Sequence, residues 1–127
     1  MGKFVLQKAP SGFRFVLKAG NGEIIAVSER YSTEAACRNG IESVRKNACA
    51  ARVEDRTLPG YETYKNPKFE VYLDKAGEYR FRLLAKNGQN IAASQRYRAK
   101  ASCLGGIESV RKNAPEAPVD VAGQGVS

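Results

Sequence analysis

The residues best placed to do chemistry come at alternate positions along two short segments. Phe13-Arg14-Phe15-Val16-Leu17-Lys18 and Tyr79-Arg80-Phe81-Arg82-Leu83-Leu84 carry aromatic or aliphatic side chains at every second position, with mostly cationic residues between them. In an extended chain such alternation sends the two sets to opposite faces. One face then holds Arg14, Lys18, Arg80, Arg82 and Lys86, with Tyr72 beside them. Cations in a row with little aromatic surface suit salt-sensitive phosphate contacts better than base stacking. The fragment Gly12-Phe13-Arg14-Phe15-Val16 partly mimics the signature in which sheet aromatics stack RNA bases. It departs from that signature three times. Ser11 stands where a basic residue belongs, Arg14 replaces the small residue, and Lys18 replaces the last aromatic. The rings also share a face with Leu17 and Leu83, which assigns them to the core, where burial of each is worth roughly 1.5–3 kcal/mol.

A second constellation is the recurring dipeptide Arg30-Tyr31 and Arg96-Tyr97. The tyrosines are expected to plug a strand-to-helix corner. The arginines beside them could make a paired pocket for an anionic small ligand. Catalytic constellations are missing. The chain has no histidine, which removes the commonest general base and metal ligand. Glu42 and Glu108 could be read as a carboxylate pair, but Lys46 and Lys112, one turn on, make surface ion pairs of them. Ser43 and Ser109 have no base nearby in the chain, and neither GxxxxGK[ST] nor GxGxxG occurs. Three cysteines without a CxxC pair argue against a zinc knuckle or a disulfide framework. No catalytic residue, metal site or cofactor is expected.

The pairing of features has one cause: the chain is written twice. Phe13 to Ala48 returns at an offset of 66 as Tyr79 to Ala114, with 22 identities among 36 positions and an unbroken nine-residue run, Gly40–Ala48 against Gly106–Ala114. Such a period signals one supersecondary unit used two times. Each unit of about 60 residues would bury too little surface to stand alone, so the halves should share one core. We expect a single pseudo-two-fold domain over 1–127, with repeat 1 at about 1–58, a connector at about 59–67, repeat 2 at about 68–121 and a tail at 122–127. The net charge of +8 is spread evenly, without a basic arm. Nothing reads as a membrane span or secretory leader, so a cytoplasmic protein is expected.

The elements follow from local pattern. Phe4–Lys8 and Phe13–Ala19 read as strands, and Asn21-Gly22 (Asn87-Gly88 in the copy) as a type I′ hairpin turn into a third strand at Glu23–Ser28. Ser32 is the expected N-cap of a helix over about Thr33–Asn47, whose stripe is Cys37, Gly40, Ile41, Val44 and Ala48. Glycine within a helix costs ~1 kcal/mol, which a close approach to the sheet at Gly40 and Gly106 would offset. Short extended pieces at Arg52–Glu54 and Val119–Val121 end the units.

These residues are recognisable together. The pattern Phe-Arg-Phe-x-Leu-Lys-Ala-x-Asn-Gly-Glu-x-Ile, then Ser-Glu-x-Tyr, then a helix bearing Gly-Ile-Glu-Ser-Val-x-Lys-Asn-Ala, resembles the YegP-like family of small bacterial proteins. The resemblance covers both repeats. It implies an α+β fold of two tandem βββαβ units in one antiparallel sheet, with their C-terminal strands exchanged and both helices on one face. It supplies no catalytic residues. The resulting expectation is a non-enzymatic interaction or accessory module with a protein partner, sufficient as a monomer and without a membrane role. The alternatives are a weak, sequence-tolerant nucleic-acid binder using the basic face, and an anionic-ligand binder at the corners.

Overall fold

The computed structural model describes residues 2–122. The elements run β1 (Lys3–Ala9), β2 (Gly12–Lys18), β3 (Ile24–Val27), α1 (Glu34–Ala48), β4 (Arg52–Asp55), β5 (Lys68–Leu73), β6 (Tyr79–Leu84), β7 (Asn90–Ala93), α2 (Lys100–Asn113) and β8 (Val119–Ala122). The strands form one sheet in the order β4-β5-β6-β7-β3-β2-β1-β8. The terminal strands are exchanged: β4 of the first repeat lies on β5 of the second, Arg52 opposite Lys68, and β8 returns to β1, Val119 opposite Phe4. Both run parallel to their neighbours, so the sheet is mixed rather than antiparallel throughout. β4 is joined to β5 by the segment 56–67 and β8 is remote in the chain from β1, and such long connections permit parallel pairing where a tight hairpin does not. Of the tail, only Ala122 lies among the described residues, as the last residue of β8.

Alternation along the strands builds the core. Phe4, Phe15, Leu17, Phe69, Phe81 and Leu83 are fully buried beneath the helices. The phenyl rings meet edge to face in matching pairs, Phe4–Phe15 at 5.7 Å and Phe69–Phe81 at 5.8 Å between centroids. Helix α1 packs on β1 and β2 and reaches β7, while α2 packs on β6 and reaches β3. Each helix therefore covers strands of both repeats, and neither half has a core of its own.

The identical nine-residue run has a physical reason. Arg45 bonds Glu42 and the Ala117 carbonyl of the other repeat, with its guanidinium 5.4 Å from the centre of the Phe4 ring. Arg111 does the same with Glu108, Ala51 and Phe69. Each arginine thus holds the segment that leads into the strand coming from its twin. The expected Glu42–Lys46 pair gives way to Glu42–Arg45, because the arginine is already fixed over the ring and Lys46 stays in solvent. Ser43 and Ser109 accept bonds from the amides of Asn47 and Asn113, each at 3.1 Å.

Two local expectations shift by a residue. Thr33, not Ser32, caps α1: its backbone is extended and its Oγ1 accepts from the Ala36 amide at 3.1 Å. In the β2–β3 turn only Gly22 has positive φ, at 87°, and its amide bonds the Ala19 carbonyl at 2.9 Å. That is a type I turn closed by a left-handed glycine, not type I′, and Asn21 serves through its side chain, accepting from the Glu23 amide.

Candidate functional site

The sheet face opposite the helices carries the polar chemistry, and its two halves differ. In the second repeat, the register sets Glu54 of β4 beside Glu70 of β5, and Glu70 beside Arg82 of β6. Lys68 Nζ lies 2.9 Å from Glu54 and 3.3 Å from Glu70. Arg56 reaches both carboxylates, at 2.6 and 3.0 Å, and Arg82 bonds Glu70 at 2.6 Å. Glu54 is fully buried and also accepts from the Tyr64 amide at 2.8 Å. Burial opposes its charge, but the bonds from Lys68, Arg56 and Tyr64 prevail and hold its carboxyl down at about 2. Burial disfavours the Lys68 ammonium, but its bonds to Glu54 and Glu70 prevail and raise its pKa. The connector is strapped over this network: Arg52 stands 4.7 Å from the Tyr64 ring centre and Arg56 5.5 Å from that of Tyr61.

In the first repeat the same positions read differently. Val5 and Val16 stand where Glu70 and Arg82 do, facing each other across β1 and β2, and both are buried. One ion pair is left, Lys3 with Asp120 at 2.9 Å, and about half of each side chain is exposed.

The basic residues anticipated from the sequence therefore separate. Arg82 is consumed by Glu70 and stacks 4.8 Å from the Tyr72 ring centre, and Arg80 donates to the Ser94 carbonyl at 3.0 Å. Lys86 lies exposed in the β6–β7 turn, off the sheet. Arg14 and Lys18 remain on the first repeat's face, Arg14 donating among the described residues to the neutral Gln7 at 2.9 Å. The row is not one continuous cationic stripe.

The corner dipeptides also split. Tyr31 stacks on Phe15, 6.3 Å between centroids, and Tyr97 on Phe81 at 6.5 Å. A Cβ on Gly40 would collide with the Tyr31 hydroxyl and come within 3.1 Å of Phe15, and one on Gly106 would meet Tyr97 and Phe81 in the same way. The glycines therefore make room for the tyrosines as well as for the sheet. Burial raises both phenol pKa values. Arg30 turns to the other face and bonds Ser11, lining a groove with Gln7 and Arg14, while Arg96 faces Asp74 at 3.3 Å. Arginine and tyrosine do not share a pocket.

Reading the chain alone missed Glu54, Arg56, Lys68 and Glu70. A signal was present, since β5 reads Lys-Phe-Glu-Val-Tyr-Leu, with charge on one face only. Among the described residues no helix is long and apolar enough to cross a membrane. Among the described residues no cluster of potential metal ligands occurs. Burial pushes the Cys37 and Cys103 thiols up to about 11.

Comparison with known proteins agrees with the architecture. A family model described as "Domain of unknown function (DUF1508)" matches residues 11–55 and again 74–120. A UPF0339 protein of Pseudomonas aeruginosa is 40% identical over 116 residues, 91% of this chain and 92% of that protein. A UPF0339 protein of Methanosarcina acetivorans is 59% identical over 54 residues, 42% of this chain but 93% of its own length, and so has the size of one repeat. The solution NMR structure of the protein of unknown function yegP from E. coli superposes with a TM-score of 0.78 at 35% identity, covering 95% of this chain and 92% of that one.

Proposed function

Because the chain belongs to the DUF1508 family and carries that domain twice, we propose that it is a non-enzymatic interaction module for a protein partner. One observation carries this reading. On the open face the second repeat ties Arg80 and Arg82 to its own acceptors, whereas the first leaves Arg14 and Arg30, at the corner where β8 ends, and Lys18, farther along β2, without a carboxylate partner among the described residues. Activated groups are missing among the described residues. The buried thiols have raised pKa values, the helix serines are bonded to asparagine amides, and no histidine is present to act as base.

The second reading is a weak, sequence-tolerant nucleic-acid binder, favoured by those same unpaired cations. Salt separates the two. Immobilised full-length protein is presented with mixed-sequence single-stranded RNA and with host-cell extract at about 50 and 200 mM salt. The module reading expects a protein retained at the higher salt and little RNA at either. RNA retained at low salt and lost steeply at the higher, with no protein partner, would replace it.

A further inference from the structure

The internal pseudo-symmetry supplies a control for reading the surface, since each corner of the sheet can be compared with its twin. At the first repeat's outer corner, where β1 and β8 end, two grooves meet back to back. One, of about 550 Å³ on the helix side, is mainly apolar, lined by Leu6, Phe13 and Val121, with Lys8 and Glu34 also in its lining. The other, of about 420 Å³ on the open side, is lined by Arg14 and Arg30. Both reach Ala122, the last described residue of β8. The strand itself is an edge: among the described residues nothing pairs its outer side. The Phe4 amide takes the Pro118 carbonyl, so by alternation the backbone groups of Val119 and Val121 point away from the sheet.

At the twin corner β4 is likewise an edge strand and a groove of about 350 Å³ lined by Val53, Tyr61 and Tyr64 lies beside the connector, but the charged groups there are paired within the chain. The positions of Glu34 and Val121 are taken by Lys100 and Asp55, which form an ion pair at 2.9 Å. The positions of Arg14 and Arg30 are taken by Arg80 and Arg96, bonded to the Ser94 carbonyl and the Asp74 carboxylate. The chain leaving β4 folds back as the connector, anchored by the Tyr64 amide on Glu54.

Resting on the interaction-module reading, we infer that the β8 corner docks an extended segment of a partner protein in which apolar and acidic residues alternate, added to the sheet as a further strand. A strand presents successive side chains to opposite faces, so one set lies on the side of the mainly apolar groove and the other on the side of Arg14 and Arg30, whose long side chains reach out from β2 and the β3–α1 corner. Backbone bonds to Val119 and Val121 hold the strand, and the two guanidiniums select carboxylates. The chain's own residues 123–127, Gly-Gln-Gly-Val-Ser, include no acidic side chain.

The test is a two-dimensional amide NMR titration of the full chain with an acetylated, amidated hexapeptide of alternating Val and Glu. Shifts should concentrate at Val119–Ala122, the end of β1, Arg14 and Arg30. Methylating alternate peptide nitrogens should abolish them. The double variant Arg14→Glu, Arg30→Glu changes exposed groups only, and retained amide dispersion checks its fold. It should weaken binding about tenfold or more, and a Val/Lys hexapeptide should recover the loss. Four results overturn the inference: no shifts at millimolar peptide, shifts centred on β4, affinity unchanged in the double variant, or displacement of the peptide by a mixed-sequence oligonucleotide. Binding seen only after deletion of residues 123–127 would assign the corner to the chain itself and overturn it too. A host partner captured equally by wild type and double variant would sink the docking site while leaving the module reading intact.

Discussion

The two ends of this sheet come from near-copies of one sequence and have opposite surfaces. At the β4 end, five charged side chains interlock beneath a connector that exists only once. At the β8 end, valines replace the central charges and a single half-exposed pair remains. Beneath both, the core is the same: matching phenyl pairs, matching tyrosine stacks and matching arginine locks on the incoming strand. Duplication left the shared interior nearly unchanged, because each half completes the other, while the open face diverged. The side that sequestered its charge serves stability. The side that did not do so leaves Arg14 and Lys18 without a carboxylate among the described residues.

That contrast is most open to attack through the paired acids Glu54 and Asp120. Glu54→Gln leaves Lys68 and Arg56 facing a neutral amide in a buried site, and removing one member of a buried ion pair costs roughly 3–5 kcal/mol. Asp120→Asn breaks an exposed pair and should cost under about 1 kcal/mol. Urea denaturation of the two variants measures both. Equal losses would show that the two ends are not energetically distinct.

Acid should expose the same asymmetry. The Glu54 carboxyl ionises at about 2 in the folded protein against 4.5 otherwise, so the unfolded chain binds the proton more tightly. The contribution is fully present above pH 4.5 and disappears as pH falls towards 2. By linkage it is on the order of 3 kcal/mol. Melting curves from pH 6 to 2 should show a fall that is markedly shallower in Glu54→Gln and unaltered in Asp120→Asn. Parallel curves for wild type and Glu54→Gln would remove Glu54 as the cause.

How much of this could be read from the chain depended on the range of each signal. The alternation of Phe13, Phe15 and Leu17, the 3.6-residue stripe of α1 and the 66-residue period are local or self-comparing, and they led to the core, the helices and the pairing of halves. The ion network is neither. It joins Glu54 to Lys68 and Glu70 only once β4 has crossed to the other repeat in a particular register. For the same reason Arg82 reads in sequence as a free cation, although Glu70 stands opposite it on β5. The one-residue shifts at Thr33 and Gly22 reflect competition among adjacent residues that could each have served. Ser32 and Thr33 both suit a cap, and geometry chose the second.

The adjacent glycines of α2 offer a sharper test of packing. At Gly106 an added methyl would press on Tyr97 and come within 3.0 Å of Phe81, whereas at Gly105 it meets nothing within 4 Å. Gly106→Ala should lose about 1–2 kcal/mol net, overpacking exceeding the gain in helix propensity, while Gly105→Ala should gain about 0.5–1 kcal/mol. Thermal melts distinguish them by sign. Combining Tyr97→Phe with Gly106→Ala removes the colliding hydroxyl and should recover part of the loss. A gain in both single variants would mean that the tyrosine yields freely and does not plug the corner.

The smallest effect expected lies where the two helices begin. Thr33 caps α1 through its hydroxyl and Glu34 follows in the first turn, but α2 opens on Ala99 without a side-chain cap and has no acid in that turn. The Ala99 backbone is already extended, φ −118° and ψ 141°, close to the −131° and 155° of Thr33. A hydroxyl placed there would find the Ser102 amide without rearrangement. Ala99→Thr should therefore gain about 0.5–1 kcal/mol, and Thr33→Ala should lose about 1 kcal/mol. For a chain of this size either shifts the melting temperature by about 2–5 °C. Lys100, the next residue, already ties this end to Asp55 at 2.9 Å, so the start of α2 is held by a strand of the other repeat rather than by its own cap. If Ala99→Thr gains nothing while Lys100→Ala loses more than about 1 kcal/mol, that cross-repeat bond has replaced the cap as the anchor of the helix, and the divergence of the copies extends to how their helices start.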